Sequence, residues 1–158
     1  MLDLPDRTSG FILASDDADG KGLFVREWGA AEWNTLFALT TEIELPAGAT
    51  LMRQGESGRT LYFVVAGAIK VSVVYGDQVL GLLREVGPGS VVGEVAFFDN
   101  GPRTAKVWAT EDSMLLRLNF EDYQKFAAAN PHRATELLLA LGALVSRRFR
   151  DVMMRARV

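Results

Sequence analysis

An acidic and a basic residue, Glu94 and Arg103, stand nine positions apart in a stretch that is otherwise mostly apolar. Charged side chains in such a stretch require a reason, because burying a charge without a partner costs free energy. Arg103 offers a planar fork of five donors that suits a phosphate, whereas the Glu94 carboxylate can only accept, as a sugar hydroxyl requires. Together the two side chains predict a pocket for a sugar phosphate that has one free hydroxyl.

The residues around this pair favour such a pocket. Gly93 allows the backbone to approach another group closely, and residues 95–98 can form one helical turn whose first amides point outward as donors to an anion. Asn100-Gly101-Pro102 ends that turn and brings Arg103 beside the same amides. The alternative is that Glu94 and Arg103 form a structural ion pair that only stabilises a turn.

Residues 92–105 resemble the phosphate-binding cassette of cyclic nucleotide-binding domains, the family of CRP and the PKA regulatory subunits. They contain Gly-Glu-aliphatic-Ala, a short spacer and then Pro-Arg-small-Ala. Val92 stands where the family usually has Phe, and Phe97 stands where it usually has Leu; both changes are apolar. Further motifs match the β-roll of the family and occur in the same order: Pro46-Ala47-Gly48 with Leu51, Gln54-Gly55-Glu56, Gly58, residues 61–64, Gly67 and residues 69–71. With the flanking helices included, the resemblance covers about residue 30 to the C-terminus.

The resemblance implies a role for each cassette residue. Arg103 would pair with the cyclic phosphate, and Glu94 would accept a hydrogen bond from the ribose 2′-hydroxyl. Thr104 would face phosphate and purine, and its hydroxyl suits the 2-amino group of guanine, but the family has threonine in cAMP binders too, so its presence barely indicates which nucleotide is bound. No catalytic residue, metal ligand or cofactor is expected. The predicted ligand-binding residues are Gly93, Glu94, Val95, Ala96, Arg103, Thr104 and Ala105, with amides near Ala96 and Ala105 completing the phosphate cradle.

The C-terminal tail supplies a second group of binding residues. It carries five arginines against the single acid Asp151, and the simplest interpretation of most of them is a solvated helix face. In the related domains, however, the last helix folds over the base. The resemblance therefore implies that the purine is capped either by one arginine, with Arg148 and Arg155 as the candidates, or by the pair Val152 and Met153.

The elements that must position these residues are mainly short strands. Between residues 41 and 119, glycine-rich turns separate runs of β-branched and aromatic residues, which predicts a mainly β fold with flanking helices: an antiparallel β-roll or jelly-roll of about eight strands. The predicted strands are 42–45, 50–52, 61–66, 69–75, 79–86, 90–92, 105–109 and 114–118.

Helical periodicity flanks the predicted roll on both sides. A short N-terminal helix is expected over residues 30–39, and Asn130-Pro131 divides two C-terminal helices that cover about 120–157. The first 22 residues show no sustained apolar period and predict a loose lead-in, and residues 1–29 are assigned to this N-terminal lead-in. The binding domain would then comprise residues 30–158.

Composition excludes several functional classes. The chain has 158 residues, a net charge of -3, no cysteine and one histidine, His132. The missing cysteines exclude disulfide scaffolds and thiol catalysis and are compatible with the cytoplasm, where we expect the protein. The longest apolar runs, 61–69 and 137–145, hold nine residues each, about half of the ~18 that a membrane-spanning helix needs.

The predicted function is that of a receptor module and not of an enzyme. The resemblance implies that it binds cAMP in preference to cGMP and repositions its C-terminal helix to signal to an effector protein or a fused domain. A homodimer is compatible with this role, whereas a nucleic-acid partner is not expected, because the ten or so residues after Phe149 are too few for a helix-turn-helix.

Two other classes of function compete with this prediction. A β-roll that keeps the fold without the ligand could serve as a dimerisation or docking module. A cupin-like enzyme on the similar jelly-roll would need clustered histidine ligands, which a single histidine outside the roll does not supply.

Overall fold

The computed structural model describes residues 4–17, 21–75 and 78–155. Eight strands form the predicted roll, with two helices before it, one short helix within it and two helices after it. The helices are α1 (Leu4–Asp17), α2 (Ala30–Phe37), α3 (Glu94–Asp99), α4 (Phe120–Ala129) and α5 (Pro131–Arg155). The strands are β1 (Thr41–Leu45), β2 (Thr50–Met52), β3 (Thr60–Ala66), β4 (Ile69–Tyr75), β5 (Gln78–Val86), β6 (Val91–Val92), β7 (Lys106–Ala109) and β8 (Ser113–Asn119).

The strands make two four-stranded antiparallel sheets, which confirms the predicted fold class. One sheet has the order β1-β8-β3-β6 and the other the order β2-β7-β4-β5. Successive side chains of a strand point to opposite faces, and β3 shows the consequence. Leu61 and Phe63 pack with the helices, whereas Val64 packs with the apolar residues of the other sheet.

The helices that flank the roll begin and end close to where the sequence predicts. Helix α2 follows Gly29, whose N–H donates to Glu32 Oε2 at 2.9 Å. Helix α5 begins at Pro131 and buries Leu137, Leu141 and Leu144 on one stripe. Its predicted final residues, 156–157, lie outside the described residues. Within the described ranges, no helix is both long and apolar enough to span a bilayer.

The loose lead-in predicted at the N-terminus is wrong for residues 4–17, which form α1. Phe11 of this helix is fully buried, with ring centroids 5.0 Å from Trp33 and 5.3 Å from Phe37. The Thr8 hydroxyl also donates to Asn34 Oδ1 in α2. A helix of weak amphipathic pattern is therefore held by tertiary contacts, chiefly those of Phe11, which a search for apolar periodicity misses. Residues 1–3 and 18–20 of the predicted lead-in lie outside the described residues.

Candidate functional site

A cavity of about 360 Å³ lies between the second sheet, helix α3 and helix α5. This volume falls within the ~300–1,000 Å³ that is typical of small-molecule sites. The structure brings together in its wall all seven residues that the sequence predicts as ligand-binding: Gly93, Glu94, Val95, Ala96, Arg103, Thr104 and Ala105.

Gly93 is required at its position for two local reasons. Its φ of +86° lies in the left-handed region, which side chains with a Cβ rarely adopt. A Cβ at this position would also come within 2.7 Å of the Thr60 carbonyl oxygen and 2.9 Å of Arg103 Nη1. The close approach expected at this glycine is therefore made by the guanidinium of Arg103, and the chain enters α3 directly after it.

Arg103 is buried, with 5% of its surface exposed, and backbone carbonyls orient its guanidinium. Nη1 donates to the carbonyl oxygens of Thr60 and Gly93, and Nη2 donates to that of Thr60, each at 3.2 Å. Burial lowers the pKa of Arg103, against the opposing influence of Tyr62, Glu56 and Glu94. Among the described residues no carboxylate lies within ion-pair distance of Arg103, so an anion in the cavity would be a favourable partner.

Glu94 is also buried, with 6% of its surface exposed, and two arginines approach the same carboxylate oxygen. Arg148 Nη1 lies 2.7 Å from Glu94 Oε1, and Arg84 Nη1 lies 3.5 Å from it. The structural ion pair between Glu94 and Arg103, which was the alternative interpretation of the motif, is therefore not the arrangement that the structure shows.

Arg148 connects helix α5 to the roll beside the cavity. Besides its ion pair with Glu94, its Nη2 donates to the Val91 carbonyl oxygen at 2.8 Å and to Ser90 Oγ at 3.1 Å. The neighbouring Arg147 donates to the Gly22 carbonyl oxygen at 3.4 Å. One turn of α5 is thus attached to the roll next to the buried carboxylate.

Comparison with known proteins identifies the family. The sequence model described as "Cyclic nucleotide-binding domain" matches residues 42–130. The chain belongs to this family.

The relatives of this cyclic nucleotide-binding domain include channels and regulators. It is 36% identical over 126 residues to a cyclic nucleotide-gated potassium channel of Mesorhizobium japonicum, covering 72% of this chain and 34% of the channel. It is 34% identical over 106 residues to the Cyclic AMP receptor protein of Thermus thermophilus, covering 67% of this chain and 47% of that protein. The chain therefore spans about a third to a half of the length of these curated relatives.

Solved structures show the same fold. The Thermus thermophilus catabolite activator protein superposes with a TM-score of 0.74 at 28% identity, covering 84% of this chain and 60% of that one. The N-terminal domain of a transcriptional regulator from Streptomyces coelicolor A3(2) superposes with a TM-score of 0.68 at 32% identity, covering 84% and 93%.

Two of the four predicted base-capping residues of this cyclic nucleotide-binding domain line the cavity, and two do not. Arg148 and Val152 belong to the cavity wall, whereas Met153 and Arg155 are exposed and lie outside it. Helical spacing does not explain this difference, because Arg155 lies three positions after Val152 and seven after Arg148, and residues three, four and seven positions apart share a face of a helix. The wall that α5 contributes ends at Val152.

The same spacing reveals lining residues that the sequence reasoning missed. Val145 and Phe149 share the face of Arg148 and Val152 and complete the wall that α5 contributes. The helical period alone could have found both. Four apolar residues of predicted strands also line the cavity: Met52, Val71, Val92 and Val107. Which side of each strand faces the cavity depends on how the two sheets pack together.

Arg84 of β5 is the remaining charged residue of the wall, and the sequence alone predicts no role for it. Its only signal in the sequence is a single basic residue at the end of an apolar run. Burial and the like charge of Arg148 lower the pKa of Arg84, against the opposing attraction of Glu94.

Proposed function

We propose that this domain binds a cyclic nucleotide in the cavity, with cAMP preferred to cGMP, and that binding repositions helix α5. The observation that carries the proposal is that one cavity of suitable volume has both a buried donor group, Arg103, and a separate buried acceptor, Glu94, in its wall. A cyclic nucleotide has an anion and a free hydroxyl on adjacent parts of one small molecule, and so it matches both groups.

The phosphate end of the ligand is assigned to Arg103. Its guanidinium is held by neutral carbonyls, so a phosphate would add a charged acceptor that the described residues do not supply. Thr104 is exposed in the same wall, beside Arg103, where its hydroxyl can reach phosphate or purine. Amides near Ala96 and Ala105 complete this end of the proposed site.

The ribose end is assigned to Glu94. Both ion pairs of this residue are measured to Oε1, and an ionised carboxylate has acceptor capacity on both oxygens. We therefore assign the 2′-hydroxyl to Oε2. The arginines on Oε1 then help to orient the group that recognises the ribose.

Helix α5 is the part of the site whose position can change when a nucleotide binds. Val145, Phe149 and Val152 present an apolar wall to the cavity, yet 64% of Phe149 remains exposed. A purine in the cavity would cover more of this apolar surface and would contact α5 only in its docked position. Such a differential contact is what a ligand needs in order to shift the position of a helix.

The relatives support the choice of ligand and of function class. Their printed names include a Cyclic AMP receptor protein and cAMP-activated transcriptional regulators, and one solved relative at 25% identity is the regulatory domain of Toxoplasma gondii PKA with cAMP. We accordingly propose a cytoplasmic receptor module without a catalytic step, whose output passes to an effector or to a fused domain.

Calorimetric titration with cAMP and with cGMP in parallel tests the proposal. Saturable binding of both at one site, tighter for cAMP, is expected, and a ligand at about 100 times its Kd should stabilise the fold by about 2.7 kcal/mol. Arg103→Lys is the matched variant, because it keeps the charge and removes the planar fork. Absence of binding of either nucleotide to the folded wild type would favour a docking module that has kept only the fold.

A further inference from the structure

Arg84 differs from Arg148, the other arginine at Glu94, in the element of secondary structure to which it belongs. It lies on β5, where its backbone pairs with Val71 of β4 within the roll itself. Its side chain is 21% exposed, and Nη1 stands 3.5 Å from Glu94 Oε1. Arg148, which approaches the same oxygen more closely, is carried by α5 and has Ser90 and Val91 as further partners.

Glu94 influences the pKa of two arginines of the cavity wall, Arg103 and Arg84. The charged and polar neighbours that act on Arg103 are Tyr62, Glu56 and Glu94, whereas those that act on Arg84 are Arg148, Glu94, Arg155 and Asp151. Glu94 is the one residue common to both sets. Arg84 lies within ion-pair distance of this carboxylate, at 3.5 Å from Oε1, whereas Arg103 is held by the carbonyl oxygens of Thr60 and Gly93.

A buried carboxylate needs a cation or several donors nearby, because desolvation strongly penalises an uncompensated charge. If Arg148 were the only cation at Glu94, any displacement of α5 would leave the carboxylate without compensation. The backbone of Arg84 is held by the β4–β5 ladder, in which α5 takes no part. Arg84 can keep Oε1 engaged while the helix moves.

We propose that Arg84 is a positioning residue for ribose recognition, which compensates Glu94 from the roll side and leaves Oε2 directed to the 2′-hydroxyl whether or not α5 is docked. The proposal rests on the proposed function, since it assumes that the cavity binds a ribonucleotide. It predicts that Arg84 affects the discrimination between ribose and 2′-deoxyribose more than it affects affinity for the phosphate.

The test compares cAMP with 2′-deoxy-cAMP by calorimetry on the wild type, Arg84→Gln, Arg84→Lys and Lys70→Gln. Lys70 is the matched control, because it is a cation on the same hairpin that pairs with Glu85 at 3.6 Å and does not line the cavity. Arg84→Gln should lower the ribose preference at least about fivefold, through weaker cAMP binding, and change affinity for the deoxy analogue less than about twofold.

Arg84→Lys, which keeps the charge, should recover most of the ribose preference, and Lys70→Gln should leave both affinities unchanged. Equal loss for the two nucleotides in Arg84→Gln, or an unchanged ratio, would overturn the role of Arg84 while leaving the proposed function intact. A ratio in Arg84→Lys as low as in Arg84→Gln would also overturn it, since charge compensation would not be what Arg84 supplies. No binding by the wild type would overturn the proposed function and this inference together.

Discussion

Arg148 Nη1 lies 2.7 Å from Glu94 Oε1, so the helix that covers the cavity is attached to the residue assigned to the ribose. The two residues are separated by 54 positions in the chain and by the whole of β7, β8 and α4. One ion pair thus joins the proposed recognition of the sugar to the position of α5.

Arg103→Ala should weaken cyclic nucleotide binding about a hundredfold or more. Two charge-assisted hydrogen bonds to the phosphate would be lost, each worth about 1.5–3 kcal/mol. Calorimetry measures the effect, and Arg53→Ala is the control, because Arg53 is an exposed arginine outside the cavity wall. Unchanged affinity in a variant that unfolds at the wild-type temperature would contradict the assignment of Arg103.

Glu94→Gln should bring the affinities for cAMP and 2′-deoxy-cAMP close to each other. The neutral amide is a poorer acceptor for the 2′-hydroxyl, whereas the Arg103 contacts to phosphate are untouched. The same change leaves Arg84 and Arg148 without their common carboxylate, so the thermal unfolding temperature should also fall. Glu85→Gln, at an exposed position of β5, is the control. If the wild type binds ribo and deoxy forms equally, Glu94 has another role.

Thr104→Ala should reduce affinity for cGMP more than affinity for cAMP. Only guanine carries a 2-amino group that can donate to the threonine hydroxyl, and Thr104 is exposed in the cavity wall. Parallel titrations of the two nucleotides measure the difference, with Thr50→Ala on the exposed side of β2 as control. Equal losses for both nucleotides would show that Thr104 serves the phosphate alone.

Hydrogen exchange in residues 149–158 should slow when nucleotide is added. In the described part of this segment, Phe149, Met153 and Met154 are 64%, 49% and 63% exposed, so little packing holds it. A purine that contacts Phe149 and Val152 would stabilise the last turns of α5. Exchange that is unaffected by saturating ligand would show that the signal leaves by another surface.

A chain that ends at Arg148 should bind nucleotide more weakly but still measurably. It retains Arg148 with its contacts to Glu94, Ser90 and Val91, and it loses the apolar wall formed by Phe149 and Val152. Direct titration of the shortened chain measures the loss. Affinity equal to that of the whole chain would exclude the end of α5 from the site.

Phe11→Ala should destabilise the fold by about 3–5 kcal/mol, the usual cost of removing a buried aromatic ring. Phe11 is fully buried against Trp33, Phe37 and Phe63. Leu13→Ala is the control within the same helix, because Leu13 is 65% exposed. Denaturant unfolding measures both, and equal effects would mean that α1 is not docked through Phe11.

The strands, the turns and the cassette could be predicted from the sequence because they depend on short-range chemistry. Alternating apolar residues define each strand, and glycines at positive φ, such as Gly48, Gly55 and Gly67, define the reversals. The break between α4 and α5 at Asn130-Pro131 is equally local. Each of these signals depends on a few neighbouring residues, so it can be detected from the sequence alone.

Tertiary structure alone decided which charges meet. The spacing of Glu94 and Arg103 allowed an ion pair between them. In the folded chain, however, Arg103 donates hydrogen bonds to two backbone carbonyls, and Glu94 forms ion pairs with Arg84 and Arg148. The docking of α1 through Phe11 and the packing of Val145 and Phe149 in the cavity wall were likewise not predicted. Each of these contacts joins elements far apart in the chain, and which partners meet depends on how the two sheets and α5 pack together. Local periodicity carries no information about that packing.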